Sequence, residues 1–205
     1  MAIGSTRDWV ERLEKAGELL RIRDPLSTDL EITELADRQM KSPGGGKALL
    51  IERPVNAAGP ADFPLLINAF GSTRRMAMAL GVGSIEEISA QLGGLMKAKP
   101  PQSFAEAIRL LGQALDLRHA RPVEVSSGPC QEVVLRCDDP RQNARGLSRL
   151  PVLNCWPEDG GPFITFPIVV TADPDTGDKN WGMYRMQIFD EWTTAMHWQV
   201  HKVGA

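Results

Sequence analysis

The chain has 205 residues, 42% of them hydrophobic and 24% charged, with a formal net charge of −3. No apolar run approaches the roughly 18 residues that cross a bilayer, the first fifteen residues lack the apolar segment of a secretory signal, and the mildly acidic balance offers no basic face to nucleic acid. The expectation is a soluble, cytoplasmic protein of one large domain or two small ones, at roughly 100–150 residues per domain.

The first half reads as alternating helix and strand. Thr6 is a candidate cap for a helix over Asp8–Ala16, with Trp9, Leu13 and Ala16 on one side and Gly17 as the stop. Glu18–Ile22 is a short strand. Ser27 or Thr28 caps a helix over Glu31–Met40. The Ser42–Gly46 stretch is a loop, and Ala48–Glu52 and Leu65–Asn68 are continuous apolar runs of the kind covered on both faces. Thr73–Leu80 is a helix ended by Gly81, Ser84 starts another, and helical character continues to about Leu117. The Ser42–Lys47 stretch lacks the spacing and the following Ser or Thr of a phosphate loop, and Gly81-Val82-Gly83 lacks the strand and third glycine of a dinucleotide fingerprint. Arg74-Arg75 reads as a solvated helix face.

The pattern changes near residue 119, where short β-branched runs and turns take over. Val123–Val125, Glu132–Cys137, Phe163–Thr171, Trp181–Phe189 and Thr194–Val200 read as strands, with a hairpin turn at 173–177 and a tight turn at 190–193. A boundary near 118 therefore separates an α/β domain, 1–118, from an antiparallel β domain, 119–205. Cys130, Cys137 and Cys155 form no CxxC pair, and neither His119, His197 nor His201 lies within ten residues of one of them. Buried, reduced thiols are expected in place of a zinc site.

The last fifty residues carry the chemistry. The 173–177 turn places Thr165 opposite Arg185 and Val170 opposite Asn180. The 190–193 turn places Gly182 opposite His201, leaving Asn180 diagonal to His201, roughly 7–8 Å apart. Thr165, Asn180, Arg185, His197 and His201 thus gather on one meander rich in Trp and Met, as in a lined pocket. Asn180 is also a common residue beside a hairpin turn, and the two histidines are also common on half-exposed strands. Arg185, in a strand interior, needs an anion or a carboxylate partner if it is buried.

Several blocks in this order resemble the UbiD family of decarboxylases: Cys155-Trp156-Pro157-Glu158-Asp159-Gly160-Gly161, Phe163-Ile164-Thr165, the run from Asn180 to Gln187, and the run from Met196 to Lys202. Arg7-Asp8-Trp9, Leu19–Ile22, Asp29–Ile32 and Asn68–Gly71 are similar to that family's amino-terminal domain. The resemblance implies an α+β or α/β arrangement, with an amino-terminal α/β domain followed by the start of an antiparallel split β-barrel that binds flavin. It implies a reversible, non-oxidative decarboxylase of aromatic or α,β-unsaturated carboxylic acids, a carboxy-lyase with prenylated FMN, a divalent metal such as Mn²⁺, and K⁺.

On the matching positions, Asn180 and His201 correspond to metal ligands. Thr165, Met183, Tyr184, Arg185, His197, Trp198, Gln199 and Lys202 correspond to cofactor contacts, and Arg185 also to the arginine that handles the substrate carboxylate. Some members carry Arg-Gly where Lys202-Val203 stands. Family members are about twice this length or more. By resemblance, a third ligand (a glutamate), the catalytic carboxylates and the oligomer-forming domain lie beyond the segment matching Ala205. The expectation is an amino-terminal portion, either a fragment or one piece of a split enzyme, with little activity by itself. Its partners are a small carboxylic acid, further copies when full length, or a subunit that supplies the missing residues. The alternatives are a non-catalytic flavin- or partner-binding subunit of a multisubunit carboxylase or decarboxylase and, with less support, an FMN oxidoreductase.

Overall fold

The structure is a computed structural model that describes residues 3–96, 123–136, 145–199 and 201. The chain divides into two compact units, one of Met1–Ser84 with Arg145–Ala205 and one of Ile85–Ala144. The boundary expected near residue 118 lies outside the described residues, as do Cys137 and Lys202.

In the first unit, α1 spans Thr6–Lys15. Ser5, not Thr6, caps it, its Oγ accepting the Asp8 N–H at 3.1 Å. Trp9 and Leu13 form the buried face, as their spacing predicts. Strand β1, Leu19–Ser27, runs five residues beyond the expected Ile22 and lies parallel to β2, Ala48–Asn56. Helix α2, Glu31–Lys41, is capped by neither Ser27 nor Thr28, and its N-cap position is Leu30, at φ 64°. The reason is that Ser27 still belongs to β1 and Thr28 to the turn that follows it. The Thr28 N–H donates to the Val55 carbonyl at 2.8 Å, while Glu31 reaches back to accept the Ser27 N–H at 2.6 Å.

Strand β2 explains the apolar run in its sequence. Ala48 packs with Trp9 and Leu13 on one face, and Leu49 and Ile51 pack with Ile32 and Leu153 on the other. Successive residues of a strand point to opposite faces, so a sheet covered on both sides needs apolar residues at every position. Strand β3, Gly59–Pro60, pairs antiparallel with the end of β2. Strand β4, Leu65–Ile67, pairs antiparallel with its start. Asn68, expected in that last strand, instead turns into the left-handed region at φ 55°, and its Nδ2 donates to the carbonyls of Gly45 and Lys47 at 3.0 and 2.9 Å. Helix α3 covers Thr73–Leu80 as expected, capped by Ser72 and stopped by Gly81 in the left-handed conformation that glycine favours.

Arg75 corrects the expectation of a solvated arginine pair. It is fully buried. Its Nη1 donates to Glu18 at 3.0 Å and to the Gly46 carbonyl at 2.5 Å, and its Nη2 to the Gly45 carbonyl at 3.1 Å. Burying a guanidinium is tolerable only with such partners, and the glycine loop supplies the carbonyls. Arg74 alone stays exposed, with a contact to the same Glu18.

The carboxy-terminal part of this unit joins the first sheet at residues 145–154. Asn154 bridges to Asp29, Asn56 Nδ2 donates to the carbonyls of Ser148 and Leu150, and Arg145 and Arg149 both pair with Asp62. Five strands follow: β5 Phe163–Ile164, β6 Ile168–Ala172, β7 Lys179–Met183, β8 Met186–Ile188 and β9 Thr194–Met196. The two long strands expected over 163–171 and 181–189 are each broken in two, and the third stops at Met196. The break at 165–167 contains Pro167, which has no N–H to give the ladder. The products are a three-stranded sheet, β5-β8-β9, and a two-stranded sheet, β6-β7.

The second unit contains α4, Ile85–Met96, which starts directly after Ser84, and a short 3-10 turn at Pro129–Gln131. The described residues of the two expected strands, 123–125 and 132–136, form no strand, and Val123, Val133 and Val134 are exposed. A β-branched run becomes a strand only when a neighbour completes its ladder. Cys130 is exposed and Cys155 half-buried, and both are free, so the expectation of buried thiols does not hold for these two. The described residues make a mixed α+β fold, and no closed barrel forms among them. No helix among them is long and apolar enough to cross a membrane.

Candidate functional site

The meander that carries the expected site residues is built by two hairpin turns. In the first, Asp173 Oδ1 accepts the N–H groups of Asp175 and Thr176 at 2.8 and 2.9 Å, closing an Asx turn. In the second, Asp190 Oδ1 accepts the Trp192 N–H at 2.7 Å. Near the strand break, Phe163 pairs with Gln187 and Ile164 with Met186, the expected register, but the ladder ends there and the expected pair of Thr165 with Arg185 lies outside both strands. Beyond the break the register moves by one residue. Asn180 stands opposite Thr171, not Val170, and Trp181 opposite Val170. The second hairpin is also one residue from expectation. Met186 pairs with Met196, and the His197 N–H donates to the Arg185 carbonyl at 2.8 Å. The pairing of Gly182 with His201 is not made, because β9 has ended by then. His201 lies in an exposed turn.

The shift decides which side chains share a face. On β6–β7, Ile168 is opposite Met183 and Val170 opposite Trp181, and all four are exposed. Asn180 and Gly182 occupy the other, half-buried face. Asn180 and Met183 are therefore on opposite sides of one strand. Tyr184 turns inward where β7 ends and is buried. Asn180 Nδ2 points at its Oη, 3.4 Å away. Thr165 is exposed, and so are His197, Trp198 and Gln199. Phe70 stacks on Trp9 of α1 at 5.8 Å and meets Phe166 at 6.3 Å, tying the loop beside Thr165 to the amino-terminal helix.

Arg185 has the most developed surroundings. Its Nη1 and Nη2 donate to the two carboxylate oxygens of Asp159 at 3.0 and 2.6 Å. Its guanidinium carbon lies 3.8 Å from the centroid of the buried Phe163 ring. Of the two partners open to a buried Arg185, an anion or a carboxylate, the chain itself supplies a carboxylate, that of Asp159 in the Cys155–Gly161 block, a residue with no expected role. The usable signal is an Asp beside two glycines, directly ahead of a strand that pairs with the arginine's own. The fork from Arg185, and its charge, hold the Asp159 carboxyl below its ordinary range against the opposing effect of burial. Asp159 raises the Arg185 pKa in turn, with a smaller effect from Cys155. Gln187 Nε2 donates to the Gly160 carbonyl at 2.8 Å, fastening the loop that presents Asp159.

Two further observations bound the site. A cleft of about 550 Å³ opens between the ends of β1 and β2 and the second hairpin turn, and none of the expected site residues lines it. Among the described residues, no group of three or more His, Cys, Asp or Glu stands together to hold a metal. Asn180 and His201 by themselves do not make a metal centre.

Comparison with known proteins gives this arrangement its family. Residues 10–92 match the family model described as the 3-octaprenyl-4-hydroxybenzoate carboxy-lyase N-terminal domain, and residues 121–205 the one described as the Rift-related domain of the same carboxy-lyase. An uncharacterized protein of Archaeoglobus fulgidus is 46% identical over 205 residues, all of this chain and 39% of its own length. One from Aquifex aeolicus is 45% identical over 197 residues, 96% of this chain and 38% of its own. The chain thus spans well under half the length of these relatives.

Among solved structures, the apo 3,4-dihydroxybenzoic acid decarboxylase of Enterobacter cloacae matches with a TM-score of 0.69 at 20% identity, over 99% of this chain and 38% of that one. The open form of Sedimentibacter hydroxybenzoicus vanillic acid decarboxylase matches at 0.67 and 23% identity, over 93% and 35%. An evolved dimeric form of the UbiD-class enzyme HmfF from Pelotomaculum thermopropionicum, in complex with prFMN, matches at 0.66 and 24%, over 95% and 38%. At these identities the structural matches speak for the fold. With two family models placed in order along it, the chain belongs to the UbiD family of carboxy-lyases.

Proposed function

We propose that this chain is the amino-terminal part of a reversible, non-oxidative decarboxylase of aromatic or α,β-unsaturated carboxylic acids that uses prenylated FMN. The observation that carries this reading is Arg185, a half-buried arginine held by Asp159 and stacked on Phe163 within the segment matching the Rift-related domain. A fixed guanidinium edge suits a carboxylate, which accepts two parallel N–H donors in one plane. Arg185 would bind and orient the substrate carboxylate, and Phe163 would keep the guanidinium from rotating out of that plane.

Residues for a flavin are present in kind. The exposed pairs Ile168/Met183 and Val170/Trp181 form a flat apolar face of the sort that takes a planar ring, and Thr165, His197 and Gln199 are exposed polar groups. With Tyr184, Arg185, Trp198 and Lys202 they are the proposed cofactor contacts. Prenylated FMN, when bound, supplies a sink for the electron pair released as CO₂ leaves. Asn180 and His201 are proposed as metal-binding residues by correspondence alone. The described residues do not complete a centre, and no step is assigned to Mn²⁺ or K⁺. A split barrel, domains of 1–118 and 119–205, a cytoplasmic location and assembly with further copies or a second subunit belong to the same proposal.

The test is flavin retention. The purified chain is mixed with prenylated FMN, passed through gel filtration and read by its visible absorbance. Retention that is lost when Met183 is replaced by Glu is expected. A chain that retains no flavin, or whose retention is indifferent to Met183→Glu, overturns the cofactor assignment.

A further inference from the structure

Arg185 and Asp159 are not equally accessible. The Asp159 side chain is 15% exposed and that of Arg185 31%. The carboxylate stands behind and the guanidinium in front. Asp159 is also fastened on both sides, its own N–H donating to the Trp156 carbonyl at 3.1 Å and the next residue, Gly160, held by Gln187. A guanidinium has five N–H donors. Asp159 engages one on each terminal nitrogen, which leaves three, with the Cys155 thiol as a further neighbour. The buried Phe163 ring covers one face of the group. The donors not taken by Asp159 therefore lie in a plane set from behind by a carboxylate and from the side by a ring.

We propose that Asp159 is the specificity-determining partner of Arg185. It neutralises the guanidinium and fixes its plane, so that the site selects a planar carboxylate over a tetrahedral or spherical anion. The physical reason is the difference between charge and direction. An uncompensated guanidinium attracts any anion, because Coulomb attraction depends on distance and not on ligand shape. A neutralised, oriented one offers only directional hydrogen bonds, and these reward a ligand with two acceptors in the same plane. This inference rests on the reading of Arg185 as the holder of the substrate carboxylate. Asp159 acts through Arg185 as a positioning residue and touches no reacting atom.

The experiment measures the affinities of benzoate and of inorganic phosphate for the full chain by calorimetric titration, in the wild type and in Asp159→Asn, Asp159→Glu and Arg185→Gln. Asp159→Asn should raise phosphate affinity by about tenfold and benzoate affinity by less, narrowing the preference for benzoate. Asp159→Glu, which restores the charge beside flexible glycines, should return the wild-type ratio. Arg185→Gln should lose both ligands.

A ratio unchanged in Asp159→Asn, with both ligands lost in Arg185→Gln, overturns the role of Asp159 and leaves Arg185 as the carboxylate holder. Benzoate binding that survives Arg185→Gln, or is absent from the wild type, overturns that underlying reading and this inference with it. Should Asp159→Asn fail to fold, the salt dependence of the wild type decides. A neutralised site changes its benzoate affinity by less than about twofold over a tenfold rise in salt, and a steep dependence sinks the proposal.

Discussion

A Cβ added to Gly182 would stand 2.5 Å from Cε2 of Tyr184. The buried phenol ring lies directly over this glycine, and its hydroxyl meets Asn180 two residues earlier. A rigid ring cannot give way as a flexible chain end does. Gly182→Ala should therefore destabilise the chain by about 1–3 kcal/mol, the range for overpacking. Urea unfolding checks the magnitude. A change in the amide side-chain signal of Asn180, seen by NMR, would show that the ring moves with it.

Removing Arg75 should be among the most damaging changes in the amino-terminal part. Arg75→Ala takes the buried cation from Glu18, which keeps only the exposed Arg74, and the donor from the Gly46 carbonyl, while Asn68 still serves the Gly45 carbonyl. Breaking a buried pair by deleting one partner costs about 3–5 kcal/mol. Arg75→Lys should recover little of this, since one ammonium cannot span the carboxylate and both carbonyls in a planar fork. Denaturant midpoints of the two variants test both statements, and a wild-type midpoint for Arg75→Lys contradicts the second.

Acid should weaken the Asp159–Arg185 pair in a predictable window. The folded-state pKa of Asp159 lies below its ordinary value, chiefly because Arg185 donates to it. A depressed carboxyl stabilises the fold above its unfolded pKa of about 3.9, and the contribution is lost as pH falls through the lowered value. The stability difference between the wild type and Asp159→Asn should thus be steady from neutral pH to about pH 5 and close below about pH 4. Asp62, held down by Arg149 and Arg145, and Asp8, held down by Arg12, lose their contributions in the same direction. A difference that stays constant to the lowest pH at which the chain is folded contradicts this account.

The start of α1 offers a smaller test. Ser5 Oγ satisfies the Asp8 N–H, one of the donors at a helix start that no turn of helix can satisfy. Ser5→Ala should cost about 1 kcal/mol, and Thr6→Ala, the neighbour that caps nothing, clearly less. Equal losses from the two would return the cap to Thr6.

Local signals carried several elements of the fold. Thr73–Leu80 and its glycine stop, the doubly covered Ala48–Ile51 run, the buried spacing of Trp9 and Leu13, and the Asp173 turn were each legible, because each depends on residues close in the chain. Caps were less legible. Ser27 and Thr28 look like caps, but parallel pairing with β2 keeps Ser27 in the strand and takes the Thr28 N–H.

Of the site, the family, the residue types and the need of a buried Arg185 for an anion or a carboxylate followed from the sequence by itself. Tertiary structure alone decided that this carboxylate is Asp159, that Arg75 is buried, and that Asn180 faces Thr171 across the ladder. The cause is the same in each case. Pairing between strands is set by breaks such as Pro167 and by contacts across dozens of residues, and a shift of one position turns a side chain to the other face. Chemistry resides in the residue types, but which groups meet is settled by register and burial.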